Sequence, residues 1–96
     1  METDDFEWED EKAELVLRKR GISFWTAAAA LDDLSCIALD EDTRHEYRMK
    51  TVGMVDGQLY TVISADGLGA PTRIITVWYA TKAEQNAYWQ ANETHD

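Results

Sequence analysis

The sequence predicts an α+β domain with two N-terminal helices, a mostly antiparallel sheet of roughly four strands, and a C-terminal helix. Three observations carry that expectation. Helix start and stop signals bracket two short segments in the first third of the chain. From Ser35 to Tyr79 the apolar period falls to two, and the hairpin dipeptide Asp56-Gly57 interrupts it. Thr81-Lys82-Ala83-Glu84 then has the form of a capping box, which starts a helix again.

The first helix is expected from Glu9 to Arg20. Asp10 and Glu11 in its first turn and Arg18, Lys19 and Arg20 in its last turn complement the helix dipole, and Gly21 supplies the stop. Ala13, Val16, Leu17 and Arg20 share one stripe, so the apolar face is narrow and is expected to lean on Trp8. Ser23 suits the N-cap of a second helix that ends at Asp32-Asp33. Cys36 to Leu39 suits a strand. Arg44 to Gly53 suits another, with Glu46, Arg48 and Lys50 alternating with Tyr47, Met49 and Thr51. Gln58 to Ala65 and Thr72 to Tyr79 complete the sheet, separated by the loop from Asp66 to Pro71. In the last helix Ala83 and Ala87, with Tyr88 or Ala91, are expected to face the sheet. Residues 1–5 and 91–96 read as frayed ends of a single 96-residue domain.

Composition narrows the function classes. The one cysteine, Cys36, rules out an internal disulfide, and with only two histidines the chain offers no thiolate or imidazole metal cluster. No secretory signal or membrane-length apolar run is found, so the expected compartment is a reducing cytoplasm. Nine basic against nineteen acidic residues leave a net charge of −10. The excess is clustered in residues 1–14 and 31–47. Such surfaces repel phosphate backbones, and they suit a basic partner or serve solubility. No phosphate-binding glycine loop, nucleophile elbow or zinc-protease signature is present. Ser23, Ser35 and Ser64 have no evident His and Asp partners.

Phe6-Glu7-Trp8, Lys12-Ala13 and Lys19-Arg20-Gly21-Ile22-Ser23-Phe24 resemble the opening of the BrnT family, small ribonuclease toxins with a RelE-like fold. Further echoes are Ala27-Ala28 with Leu31 and Asp33, Glu46 and Arg48 ahead of Val52-Gly53, and Arg73-Ile74-Ile75 leading to Ala80-Thr81-Lys82. The resemblance runs from about residue 6 to 88. It implies cleavage of RNA without a cofactor or metal, with neutralisation by a protein antitoxin. It also implies Lys12, Lys19, Arg48 and Arg73 as the basic residues of the site. Cleavage by 2′-hydroxyl attack needs a group to take the hydroxyl proton, cations to stabilise the phosphorane and an acid for the leaving oxygen. Tyr47, Tyr60 and Tyr79 are candidates for the proton steps.

The chain departs from the family pattern at several basic positions. Arg20 stands where His is usual, and an arginine does not exchange protons near neutrality. Trp78 and Tyr79 stand where basic residues are usual, and Gln58 replaces an arginine. A weakened or inactive enzyme is one expectation from these changes. The alternative is a non-catalytic acidic inhibitor, such as a phage-encoded one, that mimics nucleic acid and blocks a basic nucleic-acid-binding protein. Its contacts would come from Asp40, Glu41 and Asp42 and from the adjacent aromatics Trp78 and Tyr79, which cannot both point into the core.

Overall fold

A computed structural model describes residue 3 and residues 5–39, 48–65 and 71–93. The expected strand start at 44–47, the loop at 66–70 and the acidic cluster Asp40-Glu41-Asp42 lie outside the described residues.

The first long element is helix α1, Asp10–Arg20, followed by α2, Phe24–Leu31. Gly21 closes α1 in the left-handed region (φ 72°), its N–H donating to the Leu17 carbonyl. Ser23 caps α2 by accepting a hydrogen bond from the Trp25 backbone N–H. The stripe expected on α1 is narrower still. Val16 is its buried residue and Ala13 is half-buried, whereas Leu17 and Arg20 are exposed. Arg20 turns instead to strand β5 (Thr72–Tyr79), donating to the Thr76 hydroxyl and the Val77 carbonyl. α2 buries Phe24, Ala27, Ala28 and Ala30, and three small side chains let it lie close over the sheet. At the closest point a Cβ on Gly53 would collide with the Ala30 carbonyl.

The sheet has five strands, not four, and it is mixed. Besides β5 they are β1 (Phe6–Glu7), β2 (Ile37–Leu39), β3 (Arg48–Val55) and β4 (Gln58–Ala65), in the spatial order β1-β5-β4-β3-β2. β1 is the missed strand. It pairs parallel with β5 through Phe6 opposite Thr72 and Glu7 opposite Arg73, and two residues are too few to show a period. The other pairs are antiparallel. Asp56 and Gly57 both have positive φ, as a two-residue hairpin turn of this hand requires.

One irregularity decides which way β5 points. Up to Ile63–Thr76 the β4–β5 register is regular, and beyond it Ser64 pairs with Ile74, leaving Ile75 as an inserted residue. Ile74 and Val77, three positions apart, therefore lie on one face and join the core of Trp8, Val16, Ile22, Phe24, the α2 alanines and Val62. The same bulge carries Arg73 to the opposite face.

That opposite face is covered at one end by α3, Lys82–Ala91, over a second cluster of Val52, Leu59, Ala80 and Tyr88. The residues of α3 that turn inward are Glu84 and Tyr88, while Ala83 and Ala91 are exposed and Ala87 is half-buried. Glu84 was expected only as a cap. It is buried because the sheet and the helix terminus supply donors to both of its oxygens. A second clamp fixes the helix: the Tyr88 hydroxyl and the Met54 N–H both donate to Asp33 Oδ2, at 2.8 and 2.9 Å.

Candidate active site

At the end of the sheet face that α3 leaves open, Arg48 on β3 and Arg73 on β5 both pair with Ala65 on β4. Directly paired residues project to the same side of a sheet, so two guanidinium groups flank one small alanine. Lys12, in the first turn of α1, adds an ammonium from the side. The resulting cleft, of about 370 Å³, is lined by Glu9, Lys12, Arg48, Ala65, Arg73, Ile74 and Ile75. Three of the four cations expected at the site thus come together. Lys19 does not line the cleft; it lies seven residues beyond Lys12, roughly 10 Å along the helix axis.

One carboxylate, Glu9, lines the same cleft, and a second, Glu7, meets Arg73 beside it. Arg73 faces Glu7 Oε2 at 3.8 Å and Glu9 Oε2 at 3.5 Å. These are exposed, loosely spaced pairs of the kind that contribute about 0–1 kcal/mol, so a phosphate could displace them at little cost. Glu9 was legible in the sequence only as one member of an acidic run. Its one distinguishing signal is its place at the helix start, where a shorter polar residue is usual.

The other sequence candidates lie elsewhere. Trp78 pairs with Thr61, four pairing rows from Arg48 and Arg73 and roughly 13 Å along the sheet. Its indole N–H donates to Glu84 Oε1 at 3.1 Å. The same oxygen accepts from the Thr61 hydroxyl at 2.7 Å and the Thr81 N–H at 2.8 Å, while Oε2 meets Lys50 Nζ at 3.0 Å. Burial pushes the Glu84 carboxyl up, but bonds from Thr81, Thr61, Lys50 and Trp78 outweigh it and bring the pKa down to about 2. Trp78 therefore belongs to a saturated buried network. Tyr79 is half exposed and stacks on Tyr60 with ring centroids 5.5 Å apart, on the helix-covered face and away from the cleft. Burial, then neighbouring Tyr79 and Asp56, push the Tyr60 hydroxyl up. No tyrosine among the described residues lines the cleft, and Tyr47 lies outside them.

Among the described residues no group of three or more His, Cys, Asp or Glu side chains is placed to hold a metal ion, and no helix is long and apolar enough to cross a membrane.

The fold and site define a class: a small α+β protein with a mixed sheet and an open cleft that gathers Lys12, Arg48 and Arg73. Comparison with known proteins gives that class its family. The family model for BrnT, the ribonuclease toxin of a type II toxin–antitoxin system, matches residues 8–84, and the chain belongs to that family. The crystal structure of the Brucella abortus ribonuclease toxin BrnT is similar in fold, with a TM-score of 0.66 at 20% identity, covering 83% of this chain and 100% of that one. No curated protein sequence matches the chain.

Proposed function

We propose that this chain is an endoribonuclease toxin that cleaves RNA by 2′-hydroxyl attack in the cleft of Lys12, Arg48 and Arg73, and that a protein antitoxin neutralises it. The observation that carries the reading is the row Arg48–Ala65–Arg73, which sets a guanidinium side chain on either side of a small floor residue. A phosphodiester lying over Ala65 meets both guanidiniums, and Lys12 reaches the same cleft from α1. Such groups stabilise the charge that builds on the phosphorane, so the chemistry proceeds with side chains alone. The net charge of −10 and the carboxylates beside Arg73 oppose RNA approach, and turnover is accordingly expected to be modest.

The test is incubation of the purified chain with RNA in a chelator, with mass spectrometry of the products. The reading expects fragments ending in 2′,3′-cyclic phosphate and beginning with 5′-hydroxyl. Intact RNA after prolonged exposure to folded protein in excess would defeat it. The nucleic-acid-mimic alternative rests on charge, and its cluster Asp40-Glu41-Asp42 lies outside the described residues. It is tested by competition between this chain and RNA for a basic nucleic-acid-binding protein.

A further inference from the structure

We propose that Glu9 is the general base of the cleft, the group that takes the proton from the ribose 2′-hydroxyl. The inference rests on the ribonuclease reading and goes beyond it by naming how the reaction begins.

The first observation is a broken local rule. All three helices have an N-cap residue, and in α2 and α3 the caps Ser23 and Thr81 each accept a backbone hydrogen bond. Glu9 holds the same position in α1, and its side chain caps nothing. Residues with short polar side chains do that job well, and a helix start that forgoes it gives up a stabilising contact. Local sequence rules most often fail where function has claimed a residue. The Glu9 carboxylate is instead turned into the cleft toward Arg73.

The second observation separates Glu9 from its neighbour. Glu7, in β1, sits directly across the sheet from Arg73 with its side chain 31% exposed, and it does not line the cleft. Glu9 is 68% exposed and does. The charged groups that face it are Lys12 on its own helix, Arg73 on β5, Arg48 on β3 and Glu7 on β1. Among the described residues it is the one carboxylate lining this cleft, and no imidazole or tyrosine hydroxyl lines it.

The step balances without a co-reactant. The Glu9 carboxylate accepts the 2′-hydroxyl proton, and the 2′-oxygen forms a bond to phosphorus. The bond from phosphorus to the 5′-oxygen of the next nucleotide breaks, and its electron pair leaves with that oxygen, which takes a proton from water. Glu9 then returns its proton to solvent. The products are a 2′,3′-cyclic phosphate and a free 5′-hydroxyl.

The experiment compares the full-length wild type, Glu9→Gln, Glu14→Gln and Arg48→Ala on two strands, one of RNA and one with 2′-O-methyl groups that cannot react. Glu14 is an exposed residue of α1 outside the cleft, so its variant controls for loss of one negative charge. Glu9→Gln is expected to slow single-turnover cleavage by about 10²–10⁴-fold. The pH dependence of its rate should also differ from that of the wild type. Its affinity for the 2′-O-methyl strand should stay equal or increase, because a carboxylate has left the cleft. Wild-type rate and pH profile in Glu9→Gln, with Arg48→Ala inactive, would overturn the base assignment and leave the ribonuclease reading standing. Lower affinity for the 2′-O-methyl strand would also overturn it, and would show that Glu9 only positions Arg73. A wild type that leaves RNA intact would overturn both.

Discussion

The two ends of one sheet face set carboxylates against cations in opposite ways. Under α3, Glu84 is 7% exposed, and its oxygens take three hydrogen bonds and a lysine within 3.1 Å. At the open end Glu7 and Glu9 meet Arg73 at 3.8 and 3.5 Å in contact with solvent. The chemical partners are alike, and burial makes the difference. A carboxylate taken out of water must have its lone pairs filled, and breaking the arrangement is then expensive. An exposed pair is nearly neutral in energy, so its members remain available to a phosphate or a proton. The saturated end is therefore structural, and the unsaturated end is where chemistry is expected.

This contrast can be broken in several ways. The largest effect is expected from Arg48→Ala, which should reduce RNA cleavage by about 10²–10³-fold while shifting unfolding free energy by less than about 0.5 kcal/mol. A matching loss of stability would show that the open end is structural as well.

Glu84→Ala should do the reverse. It leaves Lys50, Thr61 and Trp78 without their shared acceptor and is expected to cost about 3 kcal/mol in urea unfolding. The same network predicts an acid limb. Because the folded pKa of about 2 lies below the ordinary 4.5, the stabilisation is present above pH 4.5 and is lost as pH falls toward 2. Its size is on the order of 3 kcal/mol. Glu84→Gln should flatten that limb. At the alkaline end the Tyr88 hydroxyl, pushed up to about 12 first by burial and then by its bond to Asp33, should withdraw stability as pH rises from 10.

Trp78→Arg sharpens the comparison further. The substitution puts a second cation at Glu84 rather than in the cleft, so cleavage should not increase and stability should fall by about 1–2 kcal/mol with the lost indole contact. Increased cleavage would mean that the two ends of the face are not separate. The smallest effect belongs to Thr81→Ala, which removes one half of the capping box and should cost about 1 kcal/mol without affecting cleavage.

Much of the fold was legible because its signals are local. Ser23 as a cap, Gly21 as a stop, Asp56-Gly57 as a turn and Thr81 with Glu84 as a capping box each act within a few residues, and each stands as expected. The strands Gln58–Ala65 and Thr72–Tyr79 have the expected bounds for the same reason. The inward face of α3 was not legible. Polarity argues against burying Glu84, and the donors that reverse the balance come from Thr61, Lys50 and Trp78 on other strands.

The sequence by itself determined the order of α1, α2, β2 to β5 and α3, and the family, and it supplied Lys12, Arg48 and Arg73 as candidate cations. Which cations meet was decided by tertiary structure. In a regular strand Arg73 and Val77 would share a face, four positions apart, and Arg73 would point toward the helices. The bulge at Ile75 breaks that alternation and turns Arg73 across Ala65 from Arg48. The parallel pairing of β1 then brings Glu7 beside Arg73, and the start of α1 brings Lys12 and Glu9. A pairing irregularity between two strands and a two-residue parallel contact leave almost no trace in composition or period, because both are properties of the partner strand as much as of the residues themselves.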